Sequence, residues 1–169
     1  MGLFRKIIES FHRNGYSEYQ PEEIRYINGY PDPFSQDFHK TAIGKMEAEH
    51  YRNSQKIETN YSILYQARTF HGSKADQLIA LCKKDIELAP ALKDFWGATG
   101  SVPPSYGTFK RLAILYERRK EYDEAISVCK QSLELGFLEG KPGQTQARIV
   151  KLLRLAGRTE ELQTYLDDE

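Results

Sequence analysis

Apolar residues in the last two thirds of the chain recur at the three- and four-residue spacing of an amphipathic helix. Phe109, Leu112, Ala113 and Tyr116 share one helical face in this way. Comparable apolar stripes run through residues 61–65, 78–88, 125–135, 149–153 and 162–166. The pattern predicts a succession of short helices, and therefore an all-α fold.

The helical segments are copies of one unit. Residues 61–65 match residues 112–116 at an offset of 51, and residues 78–88 match residues 125–135 at an offset of 47. The two offsets differ by about one helical turn, so the first hairpin can lengthen at its turn without rotating its buried face. A shorter third copy follows the second at an offset of 37. Its apolar positions are Ile149, Val150, Leu153, Leu162 and Leu166.

The second copy resembles the tetratricopeptide repeat, a helix-turn-helix unit of about 34 residues. Phe109, Leu112, Ala113 and Tyr116 follow the family spacing in the first helix, and Ala125 stands at the small position of the second. The resemblance implies an α–α superhelix of about three units. These units cover residues 57–90, 106–139 and 143–169.

The chain departs from the family pattern at several positions. Cys129 stands where the family has an aromatic residue, Phe137 replaces the terminal proline of the second unit, and Leu78 occupies the small position of the first. Pro90 does end the first unit as the family pattern requires. The second copy therefore carries most of the resemblance.

Residues 1–56 form an N-terminal extension that we expect to pack on the repeats. Residues 1–13 predict an amphipathic helix, which could dock on its own domain, on a membrane surface or on a partner. Turn signals and tyrosines between residues 14 and 33 predict an irregular segment. Ser35 is the expected N-cap of a further helix that ends near Arg52 and is mildly interrupted by Gly44.

Residues 91–105 predict a long loop between the first two units, because they contain two glycines and the Pro103–Pro104 pair. Trp96 in this loop has two interpretations. It is a candidate anchor for a partner, since aromatic side chains dominate interface energetics. The alternative is that it folds back and covers the edge of the stack.

The sequence contains no pattern that predicts catalysis, a metal site or a cofactor. The four histidines are dispersed, and none of them pairs at helical metal-ligand spacing. Cys82 and Cys129 occupy equivalent positions of their units, which we expect to be buried, and this favours packing over redox chemistry. We therefore expect a protein that is not an enzyme.

Overall charge gives no general attraction to nucleic acid, because 24 basic residues balance 24 acidic ones. The 169 residues suffice for one domain. No apolar run reaches the length of a transmembrane segment, and no secretory signal is recognisable. These features predict a cytoplasmic protein.

Charge is nevertheless segregated along the chain. Residues 141–158 contain five cationic side chains and no carboxylate. In the family that the chain resembles, the first helix of each unit lines a groove that holds a peptide. The candidate groove residues are Ile63, Lys110, Ile114, Arg118, Ala147, Arg148, Lys151 and Arg154. The alternative interpretation is that these cations only keep an exposed helix in solution or offset the acidic C-terminal end.

The function that these features favour is protein–protein interaction through this groove. The partner is a protein or peptide segment, and an acidic segment is one candidate class. Nucleic-acid binding through the basic third unit is an alternative that zero net charge disfavours, so no nucleic acid is expected. Self-association into a homo-oligomer, with the N-terminal helix in a neighbour's groove, is a third hypothesis.

Overall fold

The structure of the protein is a computed structural model that describes residues 24–101, 106–137 and 140–167. The described chain is helical, which confirms the all-α prediction, and it carries one very short β-hairpin. It divides into two compact units. The described part of the first unit is residues 24–52 and 87–101, and that of the second is residues 53–86, 106–137 and 140–167. The helix predicted over residues 1–13 lies outside the described residues.

The elements follow the chain in a simple order. The hairpin strands are β1, Tyr26–Ile27, and β2, Tyr30–Pro31, and a 3₁₀ turn covers Phe38–Lys40. The described helices, α1 to α7 in chain order, are Ala42–Ala67, Ser73–Ile86, Ala89–Thr99, Gly107–Arg119, Tyr122–Glu134, Gln144–Ala156 and Thr159–Asp167. Helix α3 belongs to the first unit and helices α2 and α4 to α7 to the second, while the division at residue 52 falls within α1.

Helix α1 begins later and ends later than the sequence predicted. The hydroxyl oxygen of Thr41 accepts the backbone N–H of Gly44 at 3.0 Å, so Thr41 and not Ser35 caps the first turn. The predicted end near Arg52 is wrong, because the helix continues to Ala67. No glycine or proline interrupts residues 45–67, so nothing in this stretch opposes a continuous helix.

Gly44 is a contact position and not an interruption. A Cβ atom at this residue would lie 2.1 Å from the carbonyl oxygen of Phe38. Glycine therefore lets the 3₁₀ turn approach the first turn of α1 more closely than any other residue would. The same turn is held by Thr41, whose hydroxyl donates to the Phe38 carbonyl oxygen at 2.6 Å.

The tyrosine-rich segment forms the hairpin where it is described. Asn28 and Gly29 have φ values of 50° and 83°, the left-handed conformation that a two-residue hairpin turn requires. The turn predicted at this pair is confirmed. Within the same unit the ring of Phe95 lies 6.0 Å from that of Tyr30 and stacks on Phe38 at 5.4 Å.

The loop predicted over residues 91–105 is wrong as far as residue 99, because residues 89–99 form α3. Pro90 stands in the first turn of this helix, where its missing N–H costs nothing. Trp96 is only 2% exposed, and its indole N–H donates to Glu47 Oε1 at 2.7 Å. Since the side chain is buried and its donor is satisfied, the hypothesis that Trp96 anchors a partner is wrong.

The second unit is built from successive packed helices. Helix α4 packs on α2 and α5, α6 packs on α5, and α7 packs on α6. Ala125 is fully buried, so its small side chain permits close approach as the spacing predicted. The core side chains of these helices include Leu112, Ala113, Leu115, Ile126, Ile149, Leu152 and Leu153.

Both cysteines are buried free thiols. Burial, with smaller contributions from Asp85 and Glu58, raises the pKa of Cys82 to about 12. A thiol with a raised pKa is a poor nucleophile because the thiolate is scarce at neutral pH. Cys82 therefore acts in packing.

Phe137 fills the place where the repeat family has proline. Its ring centroid lies 4.8 Å from that of Tyr106 and 6.0 Å from that of Phe109. The hydroxyl of Ser132 donates to the carbonyl oxygen of Phe137. An aromatic cluster thus joins the segment after α5 to the start of α4.

A buried carboxylate links the end of α2 to the start of α4, and no sequence pattern predicted it. The hydroxyl of Thr108 donates to Asp85 Oδ2 at 2.6 Å, and the Tyr106 hydroxyl donates to the Asp85 carbonyl oxygen at 2.6 Å. Burial first and the Asp85 charge second raise the pKa of Tyr106. The side chains of Asp85 and Thr108 are almost fully inaccessible, so these hydrogen bonds are shielded from water.

The Gly44 contact predicts a penalty for a single methyl group. Gly44→Ala should lower the free energy of unfolding by about 1–3 kcal/mol, because Cβ would overlap a backbone carbonyl that cannot move cheaply. Gly97→Ala is the matched control, since Gly97 lies in α3 with nothing within 4 Å of the added atom. That variant should gain about 0.5–1 kcal/mol from helix propensity. Urea denaturation measures both values, and equal stability of the two variants would contradict the packing.

The Asp85 link predicts a comparable loss. Thr108→Val keeps the shape of the side chain but removes a donor from a buried carboxylate, and should cost about 1–3 kcal/mol of unfolding free energy. Thr59→Val is the control, because Thr59 is exposed on α1 and bonds only within its own helix. We expect that variant to stay within about 0.5 kcal/mol of wild type. Indistinguishable midpoints for the two variants in thermal unfolding would refute the shielded bond.

Candidate functional site

Three helices that are distant in sequence contribute side chains to one cavity of about 370 Å³ in the second unit. They are the second part of α1, then α4 and α6. The lining residues are Tyr61, Tyr65, Arg111, Ile114, Glu117, Arg118, Arg148 and Lys151. The first helices of the three predicted units therefore meet at a common surface.

A second cavity of about 380 Å³ shares Arg148 and Lys151 with the first. Lys110, Gln144 and Ala147 complete its lining. We call the two cavities together the basic groove. Six of the eight predicted groove residues line it, and the other two, Ile63 and Arg154, do not.

Helical spacing explains which residues reach the groove. On α4, Arg111, Ile114 and Arg118 lie three and four residues apart, so they share one face. The opposite face carries Leu112 and Tyr116, which are buried in the core. Each groove side chain is thus presented by a helix whose other face is fixed by packing.

Two stacked tyrosines form one wall of the groove. The ring centroids of Tyr61 and Tyr65 are 5.8 Å apart with an interplanar angle of 26°. The guanidinium of Arg111 lies 4.4 Å from the Tyr61 ring, and that of Arg118 lies 5.9 Å from the Tyr65 ring. Both distances suit cation–π attraction. The wall therefore combines aromatic faces with cations.

Arg111 is a fixed part of this wall. Its Nε and Nη2 donate to the two carboxylate oxygens of Glu58 at 2.8 and 2.7 Å. These hydrogen bonds are the main cause of its raised pKa. Burial raises the pKa of Tyr61, and the neighbouring Arg111 charge opposes that rise. Because Glu58 offsets the charge of Arg111, this arginine positions the wall and contributes little to the field of the groove.

A carboxylate in the groove changes the predicted electrostatics. Glu117 on α4 accepts from Arg148 Nη1 at 3.3 Å and also pairs with Lys151. The sequence showed no acidic residue between 141 and 158, but the partner comes from another helix. Arg148 and Lys151 are therefore partly neutralised, and the groove is less basic than the local sequence predicted.

Three other cations keep their charge available. Within the described ranges, the side chains of Lys110, Arg118 and Arg154 form no ion pair. Lys110 and Arg118 line the groove. Arg154 is exposed on α6, three residues beyond Lys151 and outside both cavities.

Ile63 lies on a different surface from the one predicted. It is 53% exposed and lines a separate cavity of about 390 Å³ with Leu64, Leu78 and other residues. Two residues along a helix are about 200° apart, so Ile63 and the two tyrosines cannot share a face. Tyr61 and Tyr65 take the place that was predicted for Ile63.

Among the residues that the structure describes, no three His, Cys, Asp or Glu side chains are grouped so that they could hold a metal ion. Among the same residues, no helix combines the length and the apolar character needed to cross a membrane.

The likeness to tetratricopeptide repeats rests on the residues of this chain. Its strongest part is the α4–α5 hairpin, where the spacing from Phe109 to Ala125 falls on packed helices. Comparison of the chain with protein-family models, with curated proteins and with solved structures gives no match.

Proposed function

We propose that the second unit is a tetratricopeptide-like stack that binds an acidic peptide segment along the basic groove, and that the protein is not an enzyme. One observation carries the proposal: Tyr65 of α1, Ile114 of α4 and Lys151 of α6 line a single cavity. A surface that spans three helices suits an extended ligand, which can contact each helix in turn.

Charge complementarity favours an acidic ligand. Four cations and one carboxylate line the first cavity, and the second cavity contains three cations and no carboxylate. Lys110 and Arg118 have no ion-pair partner among the described residues, so ligand carboxylates would form ion pairs with them. A hydrogen bond to a charged group contributes about 1.5–3 kcal/mol when it is sheltered from water.

Apolar side chains give the groove a second kind of contact. Tyr65 is 51% exposed, Ile114 is half-buried and Ala147 is exposed. Burial of such surface contributes about 25 cal/mol per Å². A peptide that alternates acidic with apolar residues would use both kinds of contact, whereas a purely charged chain would use only one.

Glu117 favours a peptide over nucleic acid. It lies among the groove cations and holds Arg148 and Lys151, two of the residues that would have to contact phosphates. A dense phosphate backbone would meet this carboxylate, while a peptide can present an apolar side chain at the same point. Nucleic-acid binding and self-association therefore remain as outcomes of the test.

Charge reversal at two unpaired cations tests the proposal: Lys110 lines the groove, and Arg154 lies one helical turn beyond Lys151 on α6, outside both cavities. The double variant Lys110→Glu with Arg154→Glu should weaken binding of acidic peptides at least about tenfold, because a repulsion replaces each attraction. Arg52→Glu with Lys93→Glu is the matched control, since both residues are exposed and lie in the first unit. The control should stay within about twofold of wild type.

Fluorescence anisotropy with a panel of acidic, neutral and basic peptides measures these affinities. The proposal fails if wild type shows no acidic preference, or if the two double variants lose the same affinity. Binding of unrelated oligonucleotides with a steep salt dependence, lost in the groove variant, would support the nucleic-acid hypothesis instead. Concentration-dependent mass in light scattering, abolished by the same variant, would support self-association.

A further inference from the structure

A fourth cavity of the second unit, of about 420 Å³, lies where α1 ends. Its lining residues are Tyr65, Arg68, Phe70 and Arg118. We call it the arginine–aromatic pocket. It shares Tyr65 and Arg118 with the basic groove, so a ligand in the groove can extend into it.

The two rings of the pocket hold one of its cations in place. Tyr65 and Phe70 meet edge to face, with ring centroids 6.3 Å apart. The guanidinium of Arg118 lies 5.6 Å from the Phe70 ring and 5.9 Å from the Tyr65 ring. Arg118 donates to no acceptor among the described residues, so its N–H groups remain available to a ligand.

The pocket is doubly positive. No carboxylate lines it, and neither Arg68 nor Arg118 forms an ion pair with any residue in the described ranges. This is unlike Arg111 and Lys151 in the basic groove, each of which has an acidic partner. Two guanidinium charges beside two aromatic rings suit an anion that also carries a ring.

Arg68 occupies a backbone position that favours glycine. Its φ is 52°, and its N–H donates to the Tyr65 carbonyl oxygen at 3.2 Å where α1 ends. The left-handed conformation is unfavourable for residues with a Cβ atom, and helix ends of this kind usually carry glycine. Glycine can therefore replace Arg68 without backbone strain, so that substitution removes the side chain alone.

We propose that the arginine–aromatic pocket binds a phosphorylated tyrosine side chain of a peptide partner. The phosphate dianion matches two guanidinium groups, which are well shaped for bidentate contact with its oxygens. The phenyl ring packs against Tyr65 and Phe70. A glutamate offers one negative charge and no ring, and a phosphoserine offers the dianion without the ring. The inference rests on the proposed function, because the rest of the peptide would occupy the basic groove.

Small probes test the pocket on the full chain. NMR titration should give phenyl phosphate an affinity at least about fivefold higher than inorganic phosphate or phenylacetate, because only phenyl phosphate has both the dianion and the ring. Arg68→Gly and Arg118→Gln should each weaken phenyl phosphate binding by about fivefold to tenfold. Equal affinities for the three probes, or no effect of either substitution, would overturn the proposal.

Arg68→Gly also separates binding from folding. Glycine adopts a positive φ freely, so the thermal midpoint of this variant should stay within about 4 °C of wild type. Lys120→Gly is the matched control, since Lys120 is an exposed cation with a φ of 62° that lines none of the four cavities. It removes the same charge and makes the same backbone change, and it should leave phenyl phosphate binding unaltered.

Peptides distinguish this inference from the proposed function. An acidic peptide with one phosphotyrosine should bind at least about fivefold tighter than the same peptide with tyrosine, and Arg68→Gly should abolish the gain. If acidic peptides bind through Lys110 and Arg154 but phosphotyrosine adds nothing, the inference fails and the proposed function stands. If the phosphoserine peptide gains as much as the phosphotyrosine peptide, the assignment to an aromatic ligand is overturned. If no acidic peptide binds, the proposed function fails.

Discussion

The cross-helix contact of Arg111 is the interaction on which the groove depends. Arg111 on α4 donates two hydrogen bonds to Glu58 on α1 and covers the Tyr61 ring of the same helix. An exposed ion pair contributes little to stability, but a bidentate pair with a stacked ring fixes a geometry. With Arg111 in place, Ile114 and Arg118 follow one and two turns later along α4 and line the same cavity as Tyr65.

Glu117 links α4 to α6 in the same way, and its negative charge also reduces the positive charge of the groove. By holding Arg148 and Lys151 it joins the two helices, yet it withdraws two cations from the surface that faces a ligand. The same charge cannot serve both purposes at full strength. The proposed recognition of an acidic peptide and of a phosphotyrosine side chain therefore depends on cations without an ion-pair partner in the described residues, such as Lys110 and Arg118.

Periodicity predicted the helices well where a buried face repeats. The stripe from Phe109 to Tyr116 falls on α4, because each of these residues is buried in the structure. Helix α3 was missed because Gly97 and Gly100 read as loop residues, although Gly97 sits inside the helix and Gly100 ends it. The role of Gly44 was also not predicted, because the close approach of the Phe38 carbonyl to this residue depends on tertiary structure and not on local composition.

The candidate site was predictable in part. The position of a residue along a helix determines the face on which it lies, but ion pairs between helices do not follow from the sequence. Charges at the groove could be inferred from residues 141–158, whereas the link from Glu117 to Arg148 spans two helices. The positions of the acidic residues explain how a chain of zero net charge can have a basic groove. Asp76, Asp123 and Glu161 lie on α2, α5 and α7, where they pair with Arg119, Arg158 and Lys130. These acids are therefore engaged on the second helices of the hairpins, which lets a chain of zero net charge present unpaired cations on the first.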